Sequence, residues 1–238
     1  MREENLARLS STKINYNTPN FLSYKFIFED LKAAINLYAK GDLLDIGCGN
    51  KPYKTFFNNL LTTYTGCDIT QSDMNEVDII CPATNIPLQD NTKDTIFSTQ
   101  VIEHVADHRK LLSEAYRILK PGGYIIVSGP MCWEHHEEPY DFFRFTKYGF
   151  EWLMIEAGFS VIEIKSNGGK WAMVGQMLLN SIRSSFIKKT ITRRFIFLLY
   201  FIFRVKWIIN ALFSWLDKVD KDYISTLNFV VTCQKPKE

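Results

Sequence analysis

Glycine and proline are scarce, twelve and eight among 238 residues, which excludes a low-complexity or fibrous chain. Cysteine is scarcer. Cys48, Cys67, Cys81, Cys132 and Cys233 are odd in number and form no CxxC pair, so no disulfide framework is encoded. No apolar run approaches the roughly 20 residues that a bilayer span needs. The run Phe195 to Phe203 has nine. The opening residues MREENLARLS are acidic and polar where a secretory leader needs a basic start and an apolar core. A reducing, cytoplasmic setting is therefore expected.

What is present is a globular composition, 46% hydrophobic and 23% charged, long enough to bury a substantial core. The net charge of +2 hides an asymmetry. Residues 170–221 carry ten basic side chains against Asp217 and Asp220, a segment of +8 on a remainder of −6. Such a split points to an anionic partner for that segment alone.

Phe21, Tyr24, Phe28, Leu31, Ile35 and Tyr38 recur at helical steps, predicting a helix over 21–39 after a mobile lead-in. Short apolar runs at 43–46, 64–68, 77–80, 95–98, 124–128, 159–165 and 224–233 read as seven strands. Helices are expected at 52–60, 107–119 and 146–157, the second stopped by Lys120-Pro121-Gly122-Gly123. Strands alternating with helices imply an α/β fold, a doubly wound, mostly parallel Rossmann-like sheet covered on both faces. Three regions follow: 1–39 as lead-in and helix, 40–168 with 222–235 as the main domain, and 169–221 as a cationic helical insertion.

In such a sheet the ligand lies beyond the carboxyl ends of the strands, where strand order reverses. Asp45-Ile46-Gly47-Cys48-Gly49 supplies a glycine turn after the first strand, and Asp68 ends the second strand 19 residues after Gly49. A carboxylate there accepts hydrogen bonds from ribose hydroxyls. The pair narrows the ligand to a nicotinamide dinucleotide or S-adenosylmethionine. The dinucleotide pattern wants a third glycine at the position of Pro52, and its absence disfavours a dehydrogenase.

The segments LLDIGCGNKPY, TGCDI, NIPLQDNTKDTIFSTQVIEHV, EAYRILKPGGYIIVSGP and HEEPYDFFRFT resemble the class I S-adenosylmethionine-dependent methyltransferases, type 11-like, nearest the small-molecule and glycan-pathway branch. The resemblance covers about 40–168 and the last strand. It implies S-adenosyl-L-methionine as cofactor, with Asp45, Gly47, Cys48 and Gly49 lining its methionine end and Asp68 on the ribose. It also implies that Ala83, Thr84 and Asn85 flank the adenine, and that Gln100 with Glu103-His104 closes the site. Pro82 replaces the acid that the family usually carries at the start of the adenine loop. That departure, with the large insertion, is what supports the rival reading of a non-catalytic binding or assembly protein.

Methyl transfer needs orientation more than covalent help, with a base where the acceptor must lose a proton. His104, His136 and Asp141 are the candidates, the last two in a segment expected where an acceptor approaches. The alternative reading of Asp141 and Arg144 is a turn-shaping pair, at i, i+3. No metal is expected: His135-His136-Glu137-Glu138 are adjacent side chains that do not converge on one ion without other ligands. The acceptor is expected to be a small molecule, a glycan or a lipid-linked compound.

The insertion carries an apolar face at Met173, Val174, Met177, Leu178, Ile182 and Phe186. Beyond residue 204, Lys206, Asn210, Ser214 and Asp217 share a stripe opposite Ile208, Leu212, Trp215 and Leu216. A cap on the body, a homodimer surface and attachment of 171–216 to an anionic membrane surface are the competing expectations. Nucleic acid is disfavoured, since the cations are interleaved with large aliphatics.

Overall fold

The computed structural model describes residues 9–186, 200–201 and 203–237. Most of the apolar run 195–203 and the first eight residues of the expected lead-in lie outside them.

Helix α1 (Phe21–Tyr38) precedes seven strands: β1 (Gly41–Ile46), β2 (Leu61–Asp68), β3 (Ile79–Ile80), β4 (Lys93–Thr99), β5 (Leu119–Pro130), β6 (Ser160–Asn167) and β7 (Asn228–Gln234). Helix α2 (His108–Ile118) lies between β4 and β5, and α3 (Lys147–Glu156) between β5 and β6. Helices α4 (Lys170–Phe186) and α5 (Val205–Val219) fill the connection from β6 to β7. The strands form one sheet in the order β3-β2-β1-β4-β5-β7-β6. All pairings are parallel except those of β7, which runs antiparallel to both β5 and β6.

Adjacent strand residues point to opposite faces, and here both faces are buried. Leu43, Phe97, Ile126 and Val230 meet α1 through Ile27, Phe28, Leu31 and Ile35. Their neighbours Leu44, Ile96, Ile125 and Val231 meet α2 and α3 through Leu111, Leu112, Ala115, Phe150 and Met154. The near-continuous apolar strands of the sequence are thus explained.

Two expectations need correction. The helix expected at 52–60 is a single 3-10 turn, Lys54–Phe56. Lys51 and Asn58 bracket it with φ of +50° and +45°, and Pro52 offers no N–H, so no α-helical ladder can extend. Phe56 and Phe57 are buried nonetheless. Helix α2 stops just before the Lys-Pro-Gly-Gly segment, as expected, but the strand expected at 124–128 begins earlier and takes that segment in. The segment lies inside β5, where Gly122 at φ +77° marks an irregular register against β4.

The insertion folds with its polar residues inward. Asp217 is buried and accepts the Gly169 N–H and the Ala172 N–H (3.0 and 2.9 Å), capping the start of α4. Asn210 donates to the Tyr16 carbonyl at 2.8 Å, and Gln176 donates to Asn180 at 2.9 Å. Ile208, Leu212, Trp215 and Val219 are 49, 45, 58 and 65% exposed. The apolar stripe of α5 therefore faces outward, and its polar side packs inward.

This inversion has a measurable consequence. Asp217→Ala strips two buried N–H groups of their acceptor and should cost about 2–3 kcal/mol in denaturant unfolding. Leu212→Gln on the outward stripe should cost less than about 1 kcal/mol.

Candidate active site

The parallel order reverses between β1 and β4, so the loops leaving these strands diverge and open a crevice at their carboxyl ends. Gly47 leaves β1 at φ +74°, and a Cβ there would stand 2.3 Å from a Val101 methyl group. Glycine is thus required by the neighbouring loop as well as by any ligand. Asp68 accepts the Gly49 N–H at 3.1 Å and the Ile69 N–H at 2.7 Å, joining the end of β2 to the glycine turn. Asp45 is buried and accepts the Tyr64 hydroxyl at 2.5 Å. Burial pushes its carboxyl up to about 7, the Tyr64 bond opposes that, and the nearby Asp68 adds to it.

Gln100 leaves β4 with φ +55°, uncommon for a side chain of its size, and its amide donates to the Ser128 hydroxyl at 3.1 Å. The 3-10 turn Ile102–His104 follows. His104 is nearly buried, with Nδ1 2.9 Å from the Tyr140 carbonyl. Because a carbonyl only accepts, Nδ1 carries the hydrogen and Nε2 keeps its lone pair. Burial holds the His104 pKa below the usual imidazole value, outweighing its bond to Tyr140.

Glu103 is fully buried, and neither carboxylate oxygen meets a hydrogen-bond partner among the described residues. Burial raises its pKa to about 8. Asp141 is clasped by Arg144 through contacts of 2.7 and 2.8 Å, and also accepts the His136 N–H at 3.1 Å. Its pKa falls to about 2: burial would raise it, and the Arg144 fork with the His136 N–H more than reverses that. A carboxylate so weakly basic orients its neighbours rather than taking protons.

One cavity of about 980 Å³ gathers these elements. Asp45, Gly47, Cys48, Gly49, Asp68, Ala83, Thr84, Gln100, His104 and His136 all line it. Asn85, Glu103 and Asp141 do not, which corrects their placement as contact residues. Asn85 points outward, its N–H closing a turn on the Pro82 carbonyl, while Glu103 and Asp141 lie behind the wall. The same cavity is lined by Asn20 and Tyr24 at the start of α1, which sequence reasoning missed, and by Trp133, Tyr140 and Phe142 of the segment expected where an acceptor approaches. Helical periodicity placed Tyr24 on an apolar stripe and could not reveal that its end reaches a cavity.

A family model described as a methyltransferase domain matches residues 44–127. The chain is 31% identical over 97 residues to a Mycolicibacterium smegmatis protein named "Probable S-adenosylmethionine-dependent methyltransferase", covering 37% of this chain and 38% of that one. It is 27% identical over 139 residues to a thiol S-methyltransferase of Homo sapiens, covering 50% and 52%. The chain thus spans about half or less of the length of these curated relatives. The solved structure of the [4+2]-cyclase SpnF shares the fold, with a TM-score of 0.58 at 19% identity, covering 95% of this chain and 86% of that one.

The Asp45 carboxyl makes stability depend on pH. Its folded pKa of about 7 exceeds the ordinary 3.8, so the folded state holds the extra proton and loses that advantage as pH rises from about 4 to 7. Asp45→Asn should therefore gain stability relative to the parent protein across that window, with the difference flat above it. Melting temperatures of the two proteins measured over the pH series check this.

Proposed function

We propose that the chain, whose residues 44–127 match a methyltransferase-domain model, is a class I S-adenosylmethionine-dependent methyltransferase that transfers the cofactor's methyl group to a small, partly apolar acceptor held against Tyr24, Trp133, Tyr140 and Phe142. The observation that carries the reading is the continuity of one cavity from the glycine turn and Asp68 to this aromatic wall. Its volume lies at the upper end of the roughly 300–1,000 Å³ common for ligand sites, room for two ligands side by side.

The residues present fit the cofactor. Two glycines with positive φ leave the turn without side chains, and two carboxylates line the adjoining surface. Asp68 is assigned to the ribose hydroxyls, the Pro82–Thr84 segment to the adenine, and Asp45 to the cationic methionine end. The bound cofactor supplies a methyl group on a sulfonium sulfur. His104 Nε2 is the first candidate to take the proton that an O–H, S–H or N–H acceptor releases. His136, its ring centroid 4.7 Å from that of His104, is the second. Calorimetry with S-adenosylhomocysteine should show binding that Asp68→Ala weakens by about tenfold or more, the loss of charge-assisted hydrogen bonds. A folded chain that binds nothing at high micromolar ligand would sink the proposal. Labelled-cofactor transfer to thiol, quinone and glycan-lipid panels then identifies the acceptor.

We further propose that the insertion rests on an anionic membrane surface, which would favour amphiphilic acceptors. Buried amides under an exposed aliphatic stripe are the reverse of what water selects, and suit a lipid interface. Arg204, Lys206, Lys218 and Lys221 flank the stripe, each contributing about 1 kcal/mol near anionic lipid. No described helix is long and apolar enough to cross a bilayer. In vesicle flotation the chain should rise with anionic vesicles, less so at high salt, and Leu212→Lys with Trp215→Lys should reduce it. Equal recovery in the soluble fraction with and without vesicles would remove the membrane reading.

A further inference from the structure

Glu103, His104 and His136 each offer a ligand atom, and the three atoms lie within 4.8 Å of one another. Nothing in the spacing joins them, since His136 lies 32 positions after His104. The fold does so by returning the 131–146 segment over the 3-10 turn after β4. Glu103 Oε1 lies 3.9 Å from His104 Nε2.

We propose that these three side chains form a binding site for a divalent first-row transition ion in the wall of the cavity. Three observations carry it. The Glu103 carboxylate is fully buried, has both oxygens without a hydrogen-bond partner among the described residues, and is directed at the histidine pair. Leaving a buried carboxylate unmatched costs more than most folds tolerate, and an ion removes that cost.

The histidines are also oriented as ligands. His104 Nδ1 is held on the Tyr140 carbonyl, while His136 Nδ1 lies 3.2 Å from the Glu134 carbonyl and 3.4 Å from Asp141 Oδ2. Each Nδ1 hydrogen is therefore engaged behind the ring, and each Nε2 lone pair is left for a ligand role. This backing of an imidazole by a carbonyl or carboxylate is the usual outer support of a metal-bound histidine. It also gives Asp141 and Arg144 their place: they position His136.

The local charge agrees. Glu137 and Asp141 face Arg144 in this region, and Glu103 adds a further negative charge once an ion displaces its proton. Two nitrogens and one carboxylate favour zinc-, cobalt- or manganese-like ions over magnesium or calcium, which take oxygen. Ligands about 2.0–2.1 Å from an ion sit closer together than these do, so the cluster would tighten by roughly 1 Å on loading. His104 and His136 line the cavity, so an acceptor's heteroatom there could reach an open coordination position; with the ion bound, the two imidazoles are ligands and no longer proton acceptors, and they serve as bases only in the metal-free chain.

The test uses the whole chain, freed of any affinity tag and chelator, titrated with Co2+ and followed by its visible d–d absorption, with calorimetry using Zn2+ and Mg2+. The expected result is one Co2+ and one Zn2+ per chain and no comparable Mg2+ binding. Glu103→Gln and His136→Ala should each weaken Co2+ binding by at least about tenfold, whereas His135→Ala, which alters an exposed neighbour, should not. Circular dichroism checks folding. Should Glu103→Gln unfold, the His136→Ala and His135→Ala pair decides the matter. Absence of Co2+ binding by the folded parent chain, binding indifferent to His136→Ala, or a thiolate charge-transfer band pointing to cysteine ligation would overturn the proposal. None of these readouts depends on the methyl-transfer reading, so the two can fail separately.

Discussion

The reversal of strand order between β1 and β4 is the constraint from which the site derives. Parallel strands at this junction send their connections to opposite faces, and no loop closes the gap between them. That gap would be only a notch if the turn after β1 carried side chains. Gly47 is held against Val101 too closely for a Cβ, and Asp68 ties the next glycine to the end of β2. The same carboxylate proposed to meet the ligand therefore also shapes the loop. Losing it would disturb architecture and recognition together, which is why a binding measurement needs the stability control beside it.

The sheet and the cofactor side were legible in the sequence because they are encoded locally. Leu43-Leu44, Ile96-Phe97 and Ile125-Ile126 serve opposite faces of a doubly covered sheet and read as continuous apolar runs. Gly47, Gly49 and Asp68 lie within two consecutive strand ends. The acceptor side was legible only in its 129–146 segment, because Tyr24 joins Trp133 and Phe142 through long-range packing. The same holds for His136 beside Glu103 and His104: neighbours in sequence, His135 and Glu137, suggested a poor metal set, and the better one needed the fold. The turn at 54–56 misled for another reason. Its aromatic residues are buried as a helix face would be, but backbone φ values, not hydrophobicity, decide whether a ladder forms.

The orientation of α4 and α5 illustrates what periodicity cannot supply. A helical stripe identifies two faces without saying which one is solvated. Here Asp217, Asn210, Gln176 and Asn180 are buried, and their hydrogen bonds join the insertion to itself and to the segment before α1. That choice leaves Gln176 Oε1, Asn180 Nδ2, Asn210 Oδ1 and the Ser214 hydroxyl without partners among the described residues. Each such atom costs of order 1–3 kcal/mol in a water-soluble fold. Exposed Ile208, Leu212 and Trp215 add apolar area facing solvent. Only the second cost falls if something apolar covers the outer face.

Charge links the two halves. The remainder of the chain is acidic, and Asp45, Asp68, Asp107 and Glu137 line the cavity. A sulfonium cofactor bears positive charge on leaving water, so a carboxylate about 6 Å away at an effective dielectric near 20 contributes roughly 3 kcal/mol. The reaction removes that charge, since sulfur becomes neutral when the methyl group departs. The acidic lining thus favours the substrate form of the cofactor over its product and eases product release, while it holds back an anionic acceptor. If the proposed contact of the cationic insertion with an anionic surface holds, it would offset the second effect by gathering anionic or lipid-bound acceptors there while the interior stays selective for the cation. The opposite signs of body and insertion then become complementary parts of one arrangement, with neither requiring a nucleic-acid partner.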